Sequence, residues 1–439
     1  MIRMNGRKIG IAGLLGAEGI ALAGFLLFGS QAPPPGSGEE KILAIVNGRI
    51  IDGTGAPPVE NGAVLIRGNR IAAVGPKSRV TIPAEAVIRD AGGGTILPGL
   101  IDSHVHNAFT PSVRRKFLEA GITSVCDLGS PIRRMPEFSR SQDRGLPVAR
   151  GFKAGPIFTA PGGLPDAVLK EDLNYEAGSP HQAREGVRDV ARRGADVIKV
   201  YLHPTAGGRS YPTLDEDTLE AIVREAHSQN KIVRAHATQI EALPLALKTG
   251  VDVVDHIPRP DLSPERLNKE LKSSPEPMKA LYALVRTPAY DILLPRLVKQ
   301  KTALVTTLAL ILGDFLDPRK STEAQQTVVR AIFDILRQFR DLGGVIALGT
   351  DYNANGKWDP AELYFKEIDI LAAAGLSPLE TIAAATGNAA AVSGHGYDLG
   401  TLAPGKLADI LIVGGNPLED MGALRKIEAV ILDGMIVVE

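Results

Sequence analysis

An α/β fold is expected for this chain of 439 residues: a (β/α)8 TIM barrel beside a small β domain to which both chain ends contribute. Three observations carry that expectation. Between residues 98 and 396 short apolar runs alternate with amphipathic stretches of helical period. The flanking segments 41–97 and 397–439 are short β-like runs punctuated by glycine-bearing turns. Histidines and an aspartate close successive apolar runs, and the carboxyl ends of parallel strands are where a barrel carries its reactive side chains.

The amino terminus stands apart. Arg3, Arg7 and Lys8 precede an apolar stretch at 9–28, followed by Ser30-Gln31-Ala32 and Pro33-Pro34-Pro35. A basic flank, an apolar run and small residues form the pattern of a secretory signal. Twenty apolar residues also suffice to span a bilayer, so a cleaved signal and an uncleaved anchor are both open. Glu18 interrupts the run, and Pro33 sits directly after the small-residue site. Export to a periplasmic or other extracytoplasmic place is expected, with residues 1–40 as signal or anchor plus linker and membrane attachment through 9–28 if uncleaved.

From residue 42 the chain turns β-like. Runs 42–46, 63–66 and 71–74 are separated by Asn-Gly, Arg-Gly-Asn and Gly-Pro turn signals, and runs 410–413, 429–432 and 435–438 repeat the style. Residues 97–101 read as a short strand that breaks at Ser103. Further strands are expected at 123–128, 197–201, 232–236, 251–256, 303–308 and 345–351, with helices at 214–230 and 322–342. Composition is that of an ordinary globular protein, 44% hydrophobic and 23% charged with formal net charge -1, and carries no basic stripe for nucleic acid. The single cysteine, Cys126, excludes an intramolecular disulfide.

Chemistry concentrates in a few residues. His104-Val105-His106 places two imidazoles on one face of a strand, able to reach one ion, although the pair alone equally suits a solvated strand end. Lys199 interrupts the apolar strand Val197-Ile198-Lys199-Val200, where a charge needs explaining, as a core ion pair or as something more reactive. His236, His256 and Asp351 each close an apolar run. Such residues on successive strands, in one barrel order, point to a metal site.

The motifs Leu-Pro-Gly-Leu-Ile-Asp-Ser-His-Val-His, Ile-Lys-Val, Ala-His-Ala, Val-Asp-His-Ile, Gly-Thr-Asp and the tail at 400–409 together resemble the amidohydrolase superfamily over nearly all of 42–439. Within it the chain is similar to the imidazolonepropionase-related, metal-dependent Xaa-Pro dipeptidase-like branch. The resemblance implies a (β/α)8 barrel with a composite β-sandwich, two divalent ions, usually zinc, and hydrolysis by a metal-bridging hydroxide. It implies that His104 and His106 hold the buried ion with Asp351, that His236 and His256 hold the exposed one, and that Lys199, carboxylated by carbon dioxide, bridges both. Asp351 would be the catalytic general base and acid. A small-molecule amide is implied as substrate, a dipeptide or N-acyl amino acid, and a homo-oligomer as the assembly, dimers being common among relatives.

Gln239 stands where deaminases and imidazolonepropionase carry a proton-shuttling Glu, which with Lys199 disfavours ammonia-releasing chemistry. Leu164, Thr238 and Cys126 replace residues common in the dipeptidase-like branch, all at positions where substrate contacts are expected. Tyr201, His203, Arg209, Tyr211 and Tyr352 are the expected substrate contacts, an arginine suiting a carboxylate. The polar loop 353–359, with the only tryptophan, Trp358, is placed at the mouth of the site. His181, His227 and His395 are read as non-catalytic. The same ligand set also serves a lactonase or phosphotriesterase, and a non-catalytic scaffold would be expected to have lost ligands that this chain keeps.

Overall fold

The computed structural model describes residues 41–138, 145–169, 172–206, 209–260 and 264–439. The amino-terminal signal or anchor expectation lies outside these residues. Among the described residues no helix is long and apolar enough to cross a membrane.

Both ends of the described chain enter one sheet. Its strands are β1 (Ile42–Ile50), β2 (Val59–Arg67), β3 (Arg70–Pro76), β4 (Val87–Asp90) and β5 (Thr95–Pro98) from the front, with β19 (Ile410–Val413), β20 (Ile427–Leu432) and β21 (Met435–Val438) from the back. The order is β21-β20-β19-β5-β1-β2-β3, with β4 also on β1. Both faces of β1 are buried: Leu43 and Ile45 join one apolar cluster and Ile42, Ala44 and Val46 another. This is the period-2 alternation of a strand put to use on two sides.

Between these ends run parallel strands. A four-stranded sheet, ordered β18-β6-β7-β8, contains β6 (Leu100–His106), β7 (Ile122–Asp127), β8 (Arg150–Lys153) and β18 (Tyr352–Asn353). A seven-stranded sheet, ordered β10-β9-β11-β14-β15-β16-β17, contains β9 (Ile157–Thr159), β10 (Asn174–Glu176), β11 (Ile198–Tyr201), β14 (Val233–His236), β15 (Val253–Asp255), β16 (Ala303–Val305) and β17 (Ile346–Ala347). The small hairpin β12 (Thr205–Ala206) and β13 (Arg209–Ser210) stands apart. Backbone bonds link the two parallel sheets beside β17 and just ahead of β11. Ser103 N donates to Leu348 O at 3.1 Å and Asp351 N to His104 O at 2.8 Å, while Asp196 N donates to Lys153 O at 2.8 Å.

The expected helices form with recognisable ends. Glu216–Ser228 starts at Asp215, whose carboxylate accepts the Thr218 amide at 2.8 Å, and has Glu216 and Asp217 in its positive first turn. Glu323–Asp341 opens with a capping box between Thr322 and Gln325 and buries Val329, Ile332, Ile335, Leu336 and Phe339 along one stripe.

One boundary differs from expectation. The strand does not break at Ser103: β6 continues through His106, because Ser103 donates both its amide and its hydroxyl to Leu348 O, at 3.1 and 2.7 Å. The interruption falls earlier, at Gly99, whose amide turns to Asp409 O at 2.9 Å. A Cβ built at Gly99 would overlap the Thr123 side chain, so only glycine lets β5 pass into β6 here. Gly99→Ala is expected to lower stability by about 1–3 kcal/mol, read as a lower urea midpoint; an unchanged midpoint would show that Thr123 can yield.

Candidate metal centre

The site is assembled where β6, β11, β14, β15 and β17 end. Three of the residues that close it have positive φ although none is glycine: Asn107 at 59°, His256 at 71° and Asp351 at 59°, with Thr307 beside them at 51°. Such backbone is held only where the surroundings over-determine it, at roughly 1–3 kcal/mol each. Here the ladder bonds do so: His256 N donates to Val305 O at 2.9 Å and Thr307 N to Gly349 O at 3.1 Å. Gly349 itself must be glycine, since a Cβ would lie 2.6 Å from the His104 Cβ and 2.7 Å from Val305.

His104, His106 and Asp351 bring one ligand atom each within 4.8 Å of one another. Asp351 Oδ1 lies 3.0 Å from His106 Nε2 and 3.4 Å from His104 Nε2. His104 is fully buried, and its Nδ1 donates to Asp255 Oδ1 at 3.2 Å, which leaves the lone pair on Nε2. That Nε2 is buried without a hydrogen-bond partner among the described residues. Three further imidazoles line up with this ring, with centroids 5.2 Å apart from His106 to His104, 5.0 Å from His104 to His256, and 4.4 Å from His256 to His236. His256 Nδ1 is 2.7 Å from the Thr307 hydroxyl and its Nε2 is 2.8 Å from His236 Nδ1.

Burial decides the protonation of these rings. It brings the His104 pKa down to about 3 and that of His256 to about 4, and takes His236 well below the ordinary value. All three are therefore neutral, as a metal ligand must be. Burial opposes charge on His106 as well, but the hydrogen bond and charge of Asp351 outweigh it and raise its pKa. Asp351, half-buried, is held below the carboxylate range by His106, His104 and His256, against the desolvation that would raise it.

Lys199 meets Asp255. Its Nζ donates to Asp255 Oδ2, while Arg234 Nη2 donates to Oδ1 of the same carboxylate. Arg234 Nη1 also donates to Ser103 O at 2.7 Å and Val392 O at 3.2 Å. Burial works against the Asp255 charge, yet Arg234, Lys199 and His104 hold it well below the ordinary range. Burial also lowers the Lys199 pKa, with Asp255 opposing. Sequence reasoning missed Asp255 and Arg234. Their signal was there: Arg234 lies two residues before His236, hence on the same face of β14, and Asp255 is an acid at the end of an apolar strand.

A cavity of about 250 Å³ opens over this cluster, lined among others by His104, His106, Lys199, Tyr201, His236 and Asp351, with Ile157, Pro165, Leu169 and Leu173 on its apolar side. Of the expected substrate contacts, Tyr201 lines it, stacked on His236 at 4.1 Å. His203 is close by, its ring 6.0 Å from that of His236. Arg209 is exposed on the hairpin and Tyr211 is half-buried, and neither lines the cavity. Tyr352 requires a correction: it is buried edge-on against Phe117 at 5.3 Å, so its ring belongs to the core and not to the pocket. In the polar loop Asn353 lines the cavity, whereas Trp358 lies beneath the Lys366 ammonium at 4.6 Å. His181, His227 and His395 face Glu185, Asp252 and Asp196, at 3.3, 2.8 and 2.9 Å, away from the cavity.

A family profile described as amidohydrolase family matches residues 95–437. The chain belongs to the amidohydrolase family. Its similarity to curated relatives is spread along its length: it is 28% identical to an ochratoxinase of Aspergillus niger, over 89% of this chain and 85% of that one. It is 26% identical to an imidazolonepropionase of Symbiobacterium thermophilum, over 82% and 85%. Among solved structures, a Xaa-Pro dipeptidase with bound methionine shares the fold with a TM-score of 0.67 and 23% identity, over 91% of this chain and 100% of that one.

The ion-pair cluster predicts a specific weakness. Asp255→Asn leaves Lys199 and Arg234 buried without their carboxylate, and stability is expected to fall by about 3–5 kcal/mol. Chemical denaturation of the metal-free protein reads this; a loss under about 1 kcal/mol would show that the pair is not what neutralises Asp255's neighbours.

Proposed function

We propose that this protein is a binuclear metal-dependent hydrolase of amide bonds in small molecules, of the dipeptide or N-acyl amino acid kind. The observation that carries the reading is the convergence of His104, His106 and Asp351 around the unpartnered Nε2 of buried His104. Nitrogen and carboxylate donors within 4.8 Å, with the buried His104 ring kept neutral, suit a divalent ion of the zinc class. His236 and His256 are the donors for a second ion, and their mutual 2.8 Å bond gives way when both ligate. Its relatives support amide chemistry, an ochratoxinase and an imidazolonepropionase among them.

Lys199, carboxylated by carbon dioxide, would offer two anionic oxygens between the two donor pairs. For that its Nζ leaves Asp255, whose charge stays matched by Arg234 and by the His104 N–H. The lowered Lys199 pKa favours the free amine that carbon dioxide needs. Bound ions would supply a water ionised near neutral pH and polarise the scissile carbonyl. Asp351, anionic at neutral pH, takes the proton of that water and returns it to the leaving nitrogen. Tyr201, stacked on His236, fixes the plane of that imidazole and forms part of the substrate wall.

The same reading extends to the architecture. The two parallel sheets, linked by backbone bonds beside β17 and ahead of β11, close into a (β/α)8 barrel over 98–396, and the terminal strands form the composite β-sandwich domain of 41–97 and 397–439. Residues 1–40 direct export or anchor the protein, which cell fractionation of the full-length chain tests.

Metal analysis of protein purified without chelators, together with hydrolysis of a dipeptide and N-acyl amino acid panel, tests the function. Near two zinc-class ions per chain and cleavage lost on chelation are expected. Two ions without cleavage would move the search to lactones and phosphotriesters, and no ion after repletion would sink the catalytic reading. Lys199→Ala is expected to reduce activity at least about 100-fold and to lower metal content; full two-metal activity in that variant would end the carbamate assignment.

A further inference from the structure

A second polar group stands on the same rim, one step outward from the histidines. His203 Nδ1 is bonded to the Thr238 hydroxyl, and Gln239 Nε2 donates to the Thr205 hydroxyl at 2.8 Å. Arg259, three residues beyond His256, is locked to this group through its backbone. Its amide donates to Thr238 O at 2.8 Å, its carbonyl accepts from Ile240 N at 3.0 Å, and it pairs with Gln239 as a parallel bridge. The preceding carbonyl, of Pro258, accepts the hydroxyl of buried Tyr290.

The backbone of Arg259 is thus fully engaged while its guanidinium is not. The side chain is half-buried, and among the described residues it has neither a hydrogen-bond partner nor a carboxylate within ion-pair reach. Other sheltered arginines are paired: Arg150 with Asp409, Arg234 with Asp255, and Arg286 with Asp291. Burial lowers the pKa of Arg259, and its positive charge adds to the burial that lowers His203. Five forked donors drawn out of water, beside rather than within the metal donors, form a receptor for a planar anion. The polar side chains of this group are already bonded to one another; Arg259 lies outside the lining of the cavity, close enough to His203 to act on its charge, and the apolar side of the cavity, Ile157, Pro165, Leu169 and Leu173, carries no cation.

We propose that Arg259 receives a carboxylate of the substrate and so makes this enzyme selective for amides that carry a free carboxylate beside the scissile bond. The assignment rests on the amide-hydrolase reading and moves the carboxylate from the exposed hairpin residue Arg209 to the β14–β15 side of the site. The apolar wall then faces the other part of the substrate.

The test compares a panel of N-acyl amino acids with their neutral carboxamides, binding to the metal-loaded full-length protein being measured by calorimetry alongside cleavage. The wild-type protein is expected to bind the acids roughly 10- to 100-fold more tightly than the amides. Arg259→Gln should erase that ratio with metal content and melting temperature unchanged, raising KM for the acids far more than it alters kcat, and Arg259→Lys should restore part of it. No acid preference across the panel in the wild-type protein, or a preference that survives Arg259→Gln, overturns the proposal. Acid preference lost in Arg259→Gln with no cleavage by any form would leave the receptor standing and remove the hydrolase reading instead.

Discussion

Asp255 is the carboxylate on which the arrangement of the site depends. It is fully buried, and three donors from three different strands meet on it: the His104 ring from β6, Lys199 from β11 and Arg234 from β14. A charge so far from water is tolerable only because its partners are charged and correctly aimed. The consequence for function is geometric. Bonded at Nδ1, His104 must turn Nε2 toward Asp351, so the tautomer and orientation of the most buried imidazole follow from Asp255.

The same cluster reconciles two readings of Lys199 that the sequence leaves side by side, a core ion pair and a reactive amine. Asp255 holds Lys199 in place as a buried ammonium, while Arg234 provides a second countercharge that does not depend on it. A lysine in that position can exchange its role without stranding an anion in the core. Arg234 is also bonded to the carbonyl oxygens of Ser103 and Val392, which ties the charge cluster to the strand that carries His104 and His106.

Strand ends supply the remaining precision. Positive φ at Asn107, His256 and Asp351 re-aims the chain immediately at or after the donor residues, and ladder bonds to neighbouring strands hold it there. Donors far apart in the chain arrive together at the strand ends: His106 Nε2 and Asp351 Oδ1 are 3.0 Å apart. Outside that ring stand the apolar side of the cavity, Ile157, Pro165, Leu169 and Leu173, and the guanidinium of Arg259, which has no partner among the described residues.

Much of this was legible in the residues alone. The alternation of strand and helix, the helices expected at 214–230 and 322–342, and the choice of His104, His106, Lys199, His236, His256 and Asp351 as candidate ligands rest on period and residue type, which are local properties of a chain. What only the tertiary structure decided is who neighbours whom. The break expected at Ser103 vanished because Leu348, 245 residues away, accepts both its donors. Tyr352 turned inward because Phe117 offered its ring a buried partner. Asp255 found Lys199 56 residues away, and the Arg259 guanidinium has no partner among the described residues. Local propensity sets where a side chain sits along its element. Burial and the sign of the charge opposite it come from segments distant in the sequence, and those two quantities decide whether a residue is structure or chemistry.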